Sequence, residues 1–430
     1  MARGRASRPH PPTPSPDFAG EGEIDGSGLT FSFRLLHDPG EPVAPRLGVI
    51  TTARGEIRTP AFMPVGTLST VKALTPDEVR STGADVLLVN AYHNYLRPGH
   101  GLIERLGGVH KFMDWPGPIL SDSGGFQVFS LARLKKVTEE GVRFRSHIDG
   151  SEHFYTPELA MEVQRALGVD IAMPLDQVLP GRADVEPATE AAQRTLRWFA
   201  RCQAAAGDLA TFGIVQGGIH PELRRWHARE LAAMDAPGYS IGGLSVGESK
   251  EDMWAMTEVV TAELPTDKPR YLMGVGSPED LVNAVARGVD MFDCVLPTRL
   301  GRNGSLFTDS GRVNIRNARY REDAGPMDAD CNCLGCTRFT NAYLHHLFRN
   351  DELLGYRLAS MHNIRYLVRL TERMRASIAA GTFGEFSGEF LGRYRGVDEG
   401  VRAEQKRLWA AQALIPRPPL PTSRARGRNV

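Results

Sequence analysis

Eight short apolar runs, separated by stretches of helical periodicity, constrain this chain more than any other feature. They are PAFMPV (60–65), DVLLVN (85–90), GPILSD (117–122), DIAMPLD (170–176), FGIVQ (212–216), YSIGG (239–243), RYLMGV (270–275) and VDMFD (289–293). Runs this short and this continuously apolar suit strands buried on both faces, as in a parallel sheet. Helix signals lie between them. Thr156-Pro157-Glu158 sets a cap, a first-turn proline and a first-turn acid before ELAMEVQRAL, and Gly168 stops it. Ser277-Pro278-Glu279 opens EDLVNAVARG in the same way. Strands interleaved with helices in this number predict an α/β fold, a (β/α)8 TIM barrel. An open doubly wound sheet would satisfy the same alternation. Ahead of the runs, FSFRLLHD and RLGVITTARGEIRTP read as antiparallel strands with a turn at Arg54-Gly55.

Composition narrows the class. A hydrophobic content of 41% with 24% charged residues is that of an ordinary globular protein, and the net charge of zero confines any nucleic-acid footprint to a local patch. No apolar run approaches ~18 residues, so no membrane span is expected, and no apolar stretch follows the N-terminal arginines as a signal peptide requires. Residues 1–28 and the end of 396–430 are rich in Pro, Gly, Ser and charge and are expected to be disordered tails. The catalytic unit is expected over 29–395. The five cysteines are odd in number and three are crowded together, which fits a cytoplasmic protein with one metal site better than a disulfide framework.

In a (β/α)8 barrel the site lies at the carboxyl ends of the strands. There this sequence places Asp122 inside SDSGGF, Asp176, Gln216 inside QGG, Gly242-Gly243, Met273 in LMGVG, and Asp293. Any one of these has an ordinary explanation, since Asp caps helices and Gly serves turns. Six at one mouth point to a ligand. No Walker or dinucleotide fingerprint appears, so no nucleotide cofactor is indicated. A guanine-like base would suit the mouth. One carboxylate accepts from N1–H and the 2-amino group together, Gln216 and a backbone N–H of the Gly242-Gly243 turn donate to O6, and Phe126 stacks on the ring. A further carboxylate is left for covalent work at a sugar carbon. In MFDCVLPTRLGRNG (291–304), Asp293 stands beside Cys294, and on the residues alone either is a candidate nucleophile. Arg299 and Arg302 follow. In CNCLGC, Cys331, Cys333 and Cys336 supply three thiolates, and His345, His346 or His362 could complete a closed tetrahedral site, the pattern of structural Zn2+.

The segments SDSGGFQVFSL, FGIVQGG, GGLSVGE, YLMGVG, MFDCVLPTR with GRNG, NIRNARY, and CNCLGC with HN resemble the bacterial tRNA-guanine transglycosylases (queuine tRNA-ribosyltransferases). The likeness is collinear from about residue 30 to about residue 395. It implies a (β/α)8 barrel with N-terminal antiparallel strands and a zinc-binding insertion near the last helix, about 312–363, with His362 as fourth ligand. It implies exchange of the wobble guanine in tRNAs with a GUN anticodon (Asp, Asn, His, Tyr) for 7-aminomethyl-7-deazaguanine, in queuosine biosynthesis. Carried onto this sequence, Asp293 attacks the ribose and Cys294 is packing. Asp122 is general acid/base and also contacts the base, in a pocket with Ser123, Gly124 and Gly125. Asp176 reads N1 and the 2-amino group, and Gln216 and Gly243 take O6. The Leu244 carbonyl receives the aminomethyl group, and Met273 and Phe126 sandwich the ring.

The same resemblance implies RNA contacts along Gly274, Val275, Gly276, Ser277, Pro278, Glu279 and Asp280, and along Thr298, Arg299, Leu300, Gly301 and Arg302. It also implies a homodimer using Phe339, Tyr343 and His346 of RFTNAYLHHLF. One departure touches the incoming base. Gln177-Val178 stands where bacterial members have Glu-Cys, and valine there matches the eukaryotic enzyme, which takes queuine. Val246 in GGLSVGE keeps the bacterial pattern, and the deazaguanine precursor is expected over queuine. Two rival readings are a noncatalytic RNA-binding subunit and a glycosidase acting on free sugars. The presence of both Asp293 and Asp122 argues against the first. The zinc module and the arginine pair argue against the second.

Overall fold

Parallel pairing joins the eight runs into a ring of strands. The computed structural model describes residues 31–131 and 135–396, so the expected disordered tails lie outside the described residues. The barrel strands are β1 (Ala61–Gly66), β2 (Leu87–Asn90), β3 (Ile119–Asp122), β4 (Ile171–Ala172), β5 in two pieces (Ala210–Thr211 and Gly213–Val215), β6 (Tyr239–Ile241), β7 (Arg270–Leu272) and β8 (Met291–Cys294). Each runs parallel to its neighbour, and β8 pairs back onto β1. The two pieces of β5 pair with β4 and β6 respectively. Phe212 between them donates its N–H to Ala172 O at 3.1 Å, and Gly213 donates to Gly238 O at 2.9 Å, so one continuous segment bridges both neighbours. An open doubly wound sheet has no such return and is excluded. Among the described residues no helix is long and apolar enough to cross a membrane.

Strands Phe31–His37, Leu47–Thr52 and Gly55–Thr59 form the expected antiparallel sheet. Three Arg–Asp pairs fix it to the amino ends of the barrel strands. Arg46 Nη2 lies 2.8 Å from Asp290 Oδ2, Arg54 Nη1 lies 3.0 Å from Asp170 Oδ1, and Arg58 Nη2 lies 2.9 Å from Asp85 Oδ1. Each aspartate stands just before a barrel strand, so the sheet stoppers that end. Its Ile50 and Ile57 join Met63, Leu88, Leu120, Ile171, Ile214 and Met291 in the barrel interior. The opposite mouth is left for chemistry.

Two additions decorate this frame. A three-stranded antiparallel sheet (Lys135–Val137, Val142–Arg145, Glu152–Tyr155) follows the helix after β3 and has no counterpart in the sequence reading. After β8, helix Leu296–Arg302 leads to the hairpin Ser305–Thr308/Gly311–Asn314 and to helix Asn341–Arg349, before the long helix Leu353–Ala379 returns along the barrel.

The Arg46–Asp290 pair is the most buried of the three anchors, with the two side chains 2% and 0% exposed. Arg46→Met leaves the Asp290 carboxylate with only the Arg270 N–H at 2.8 Å. Stripping one partner from a buried pair costs about 3 kcal/mol or more. Urea unfolding of the full chain should show that loss, and a change below ~1 kcal/mol would mean the pair does not anchor the sheet.

Candidate active site and metal centre

The register of β2 against β3 sets Asn90 opposite Asp122. Asn90 Nδ2 accordingly donates to Asp122 Oδ2. Gln127 Nε2 reaches the same oxygen at 3.1 Å, and the N–H groups of Ala91 and Gly124 donate to Oδ1, each at 3.2 Å. Burial pushes the Asp122 carboxyl up to about 7, its backbone donors work against that shift, and the nearby Asp293 adds to it. Gly124, at φ +82°, must be glycine, because a Cβ would lie 2.5 Å from Tyr92 Cβ. Ser123 is buried, and its carbonyl accepts from Tyr155 Oη at 3.1 Å. Phe126 is the exception in this loop: its ring is half exposed at the rim.

Asp176 lies beyond the short regular part of β4 and is buried. Gln216, directly after β5, donates Nε2 to its Oδ2 at 2.7 Å. Burial raises the Asp176 carboxyl to about 6 against that hydrogen bond. A Cβ on Gly125 would sit 2.6 Å from Asp176 Oδ1, so glycine there keeps this oxygen accessible. Gly243, at φ +64°, abuts Gln216 Oε1. The two glycine turns after β5 and β6 share one donor. Fully buried Arg224 gives Nε to Gly218 O at 2.6 Å and Nη2 to Gly242 O at 3.0 Å, while its Nη1 has no partner among the described residues. Leu244 follows, buried, and Glu248 accepts from the N–H groups of Ser245 and Val246.

Asp293, on β8, is the third carboxylate. Tyr271 Oη donates to its Oδ1 at 2.5 Å and Gly274 N at 2.7 Å, whereas Oδ2 receives no bond among the described residues. Burial raises its pKa, and these two donors oppose the rise by stabilising the charged form. Cys294 is half-buried, with its Sγ accepting from Leu296 N at 3.4 Å. Met273 is half-buried against the barrel interior.

Away from the mouth, Cys331, Cys333, Cys336 and His362 are all buried, and their ligand atoms lie within 4.8 Å of one another. His362 Nε2 donates to Phe307 O at 2.8 Å, which leaves Nδ1 facing Cys336 Sγ at 3.3 Å and Cys333 Sγ at 3.9 Å. A tetrahedral zinc–thiolate site sets its sulfurs about 3.8 Å apart, so the cluster has the dimensions for a metal ion. The neighbouring histidines do other things: His345 Nδ1 bonds the Ile315 carbonyl and His346 faces Asn350.

The chain is similar to known proteins over most of its described length. Residues 42–396 match the family model for queuine tRNA-ribosyltransferase. A protein of that name from Symbiobacterium thermophilum is 54% identical over 390 residues, 90% of this chain and 97% of its own length. Those of Pelotomaculum thermopropionicum (54% over 370 residues, 86% and 100%) and Herpetosiphon aurantiacus (53% over 374 residues, 86% and 95%) are similarly close. The chain belongs to the queuine tRNA-ribosyltransferase family.

In the segment Gly274–Asp280 several side chains turn inward. Val275, Pro278 and Asp280 are buried, Ser277 Oγ donates to Asp280 Oδ2 at 2.5 Å, and Glu279 and Asp280 both pair with Lys250. Its outward offering is backbone at the exposed Gly274. In the second segment, Thr298 and Gly301 are buried, Leu300 is half-buried and Arg299 is exposed. Arg302 Nη1 is buried with no partner among the described residues, and burial followed by the adjacent Arg299 lowers the Arg302 pKa. The departing Gln177 accepts from Arg194 Nη1 at 2.5 Å. It is thereby tied to the following helix, Val185–Ala206.

Sequence reasoning missed Asn90, Gln127, Tyr271 and Arg224. Asn90 ends the second run as Asp122 ends the third, so the same strand-end rule would have found it. Gln127 lies inside the quoted SDSGGFQ. Tyr271 and Arg224 carry no sequence signal, being ordinary residues of a strand and a helix.

The raised carboxyls bear on stability. An unfolded Asp titrates near ~3.9, so the folded protein binds protons at Asp122 and Asp176 more tightly than the unfolded chain does. Their stabilising contribution is complete below about pH 4 and is lost as pH rises through about 6 and about 7. Between pH 5 and 8 the unfolding free energy of Asp122→Asn/Asp176→Asn should therefore fall less steeply than that of the parent. Coincident slopes in denaturant titrations would contradict the shifts.

Proposed function

We propose that this chain is a tRNA-guanine transglycosylase, a pentosyltransferase that replaces the wobble guanine of GUN-anticodon tRNAs (Asp, Asn, His, Tyr) with 7-aminomethyl-7-deazaguanine. The observation that carries the reading is the Asp293 carboxylate, with one oxygen fixed by Tyr271 and Gly274 and the other uncommitted at the mouth shared with Asp122. In this mechanism Oδ2 attacks ribose C1′ while the bond to guanine N9 breaks, and Asp122, protonated to about half near neutrality, supplies the proton to the departing base. The ester holds the sugar. The incoming base then gives its N9 proton to Asp122 and displaces Asp293, so two displacements retain the stereochemistry.

Recognition follows from the same groups. In the free protein Gln216 and Asp176 satisfy each other. A bound guanine takes over both: Asp176 accepts from N1–H and the 2-amino group, and Gln216 with the Gly243 N–H donates to O6. Phe126 and Met273 cover the ring faces, with Ser123, Gly124 and Gly125 as the pocket wall and the Leu244 carbonyl as acceptor for the aminomethyl group. The base must be flipped out of the anticodon stack to reach this depth. Arg299 and Arg302 hold the flanking phosphates, for which the unpartnered Arg302 Nη1 is a ready donor, and the Gly274–Asp280 segment adds backbone contacts. Zn2+ held by Cys331, Cys333, Cys336 and His362 closes the insertion and has no part in the reaction, all four positions being filled by protein. The catalytic unit spans 29–395, works in the cytoplasm, and pairs as a homodimer through Phe339, Tyr343 and His346. Phe339 and Tyr343 stack with centroids 5.4 Å apart, and Tyr343 is exposed.

Denaturing mass spectrometry of the protein mixed with tRNA should find an adduct on the peptide containing Asp293. Asp293→Asn should lose the adduct and at least about a thousandfold in kcat. An adduct on any other residue ends the scheme. Asp122→Asn should remove the kcat/KM limb near pH 7, and a limb unchanged in that variant would dismiss Asp122 as the acid. Labelled guanine should be displaced from tRNA by the aminomethyl deazaguanine, and displacement by queuine alone would reassign the incoming base. One zinc per chain should be found by elemental analysis, with Cys336→Ser losing both the metal and several degrees of melting temperature.

A further inference from the structure

Beyond the mouth, a group of basic side chains lies together on the metal-bearing insertion. A cavity of about 590 Å³ opens between the turn after strand Gly311–Asn314 and helix Asn341–Arg349, and its wall includes Arg316, Arg321, Arg349, His345 and His346. The two alanines that complete the wall take up little room. Two acids of this stretch have defined partners, and the charges of Arg316 and Arg349 both act on one of them, Asp351. Asp351 accepts from Arg316 Nη2 and from Tyr356 Oη, both at 3.0 Å. Asp323 accepts from Gly325 N at 2.8 Å and from Asn341 Nδ2 at 2.9 Å. Among the described residues no carboxylate forms an ion pair with Arg321 or Arg349.

The cavity is joined to the arginine helix beside the mouth. Helix Leu296–Arg302 ends at Gly304, whose carbonyl accepts from Ile315 N at 2.8 Å. Gly304 packs directly on Arg316: a Cβ there would be 3.4 Å from Arg316 Cγ. The backbone that carries Arg302 therefore runs directly into the segment that carries Arg316 and Arg321. On helix Asn341–Arg349 the cavity takes positions 342, 345, 346 and 349, one face of the helix by their spacing of three and four. Tyr343, stacked on Phe339, lies three residues before His346, so the proposed dimer contact and this cavity meet at His346.

We propose that this cavity is a second backbone-binding station for the tRNA, where Arg321 and Arg349, backed by Arg316, take phosphates that lie beyond those held at Arg299 and Arg302. The inference rests on the transglycosylase reading for its choice of polyanion. Phosphate neutralisation by paired arginines is the ordinary source of salt-dependent affinity in such complexes, at about −0.9 in log–log slope per contact for a duplex. Guanidinium groups without a carboxylate partner are the form in which a protein keeps that capacity available.

The test uses the full chain and full-length unmodified tRNA, with the dissociation constant followed from 50 to 200 mM KCl. Arg321→Gln/Arg349→Gln should weaken binding about tenfold at the lowest salt and flatten the slope by about 1.8, while the KM for free guanine stays within about twofold. Arg349→Lys keeps the charge and should keep the parent slope. An affinity and slope unchanged in the double variant overturn the proposal. So does a loss of affinity accompanied by a change in sedimentation mass, which would assign the face to a second copy of the chain. Should the double variant not fold, each single Gln variant is read instead against a slope change of about 0.9. A parent protein that binds tRNA with the predicted slope but exchanges no base would sink the transglycosylase reading and leave the cavity assignment standing.

Discussion

A closed ring of parallel strands has one rim where all its carboxyl ends meet, and this protein's chemistry depends on that closure. β8 pairs with β1 in a register that places Asp293 beside Met63, and β2 pairs with β3 so that Asn90 meets Asp122. Neither contact is local in sequence. An open sheet with the same strands would leave the first and last at opposite edges, and Asp293 would have no reason to feel Asp122. Closure also explains the amino end. There Asp170 accepts from Ile119 N and Asp290 from Arg270 N, each at 2.8 Å, at the starts of neighbouring strands. Arg58, Arg54 and Arg46 neutralise Asp85, Asp170 and Asp290 and bring in the antiparallel sheet that seals the floor.

Burial raises all three carboxylates at the mouth, and their partners set them apart. Asp122 has four donors and is still pushed up to about 7, because desolvation outweighs them and Asp293 adds to the rise. Asp176 has one side-chain donor and titrates near 6. Asp293 is also raised, yet a phenol and a backbone N–H are directed at a single one of its oxygens. A nucleophile must carry charge and have a bare atom, and an acid must hold a proton near neutrality. The environments separate these requirements among residues of one type, which is how roles divide within a carboxylate pair. Gln216 keeps Asp176 paired in the free protein, and in the proposed scheme an arriving base replaces it on both sides.

Much of this was readable beforehand because strands of a parallel barrel are short, apolar and ended by polar residues. Asp122, Gln216 and Asp293 stood where the runs stopped, and the thiolate spacing in CNCLGC announced the metal cluster. The choice of His362 over His345 and His346 could not come from spacing alone. It took the resemblance to name it, and the fold shows why: His345 is turned to a carbonyl, whereas His362 presents Nδ1 to the sulfurs. What stayed hidden were residues whose work depends on a neighbour distant in sequence. Tyr271 reads as one more strand aromatic until β7 lies against β8. Arg224 reads as a surface helix charge until two glycine turns close over it. The three-stranded sheet of 135–155 was invisible because its strands are only three or four residues long and carry charge.

The metal cluster and the arginine helix are parts of one structural unit. His362 and Asn363 are adjacent on the long helix. His362 meets the thiols, and Asn363 uses its whole amide on the segment that follows β8. Its Oδ1 accepts from Phe307 N at 2.9 Å, and its Nδ2 donates to Pro297 O at 3.0 Å and to Ser305 O at 2.9 Å. Gly301 lets helix Leu296–Arg302 approach the same stretch so closely that a Cβ would lie 2.7 Å from Ser360 N. Fixing the end of the insertion to His362 therefore also fixes the backbone that carries Arg299 and Arg302, the side chains that the proposed reading sets on RNA phosphates. In the proposed transglycosylase scheme, a cluster remote from the carboxylates thus sets where the RNA backbone can lie, and through it which base reaches Asp293. Rigid support at this distance makes sense for a site that must present one nucleotide of a large RNA, because a loosely held arginine helix would lose selectivity before it lost chemistry.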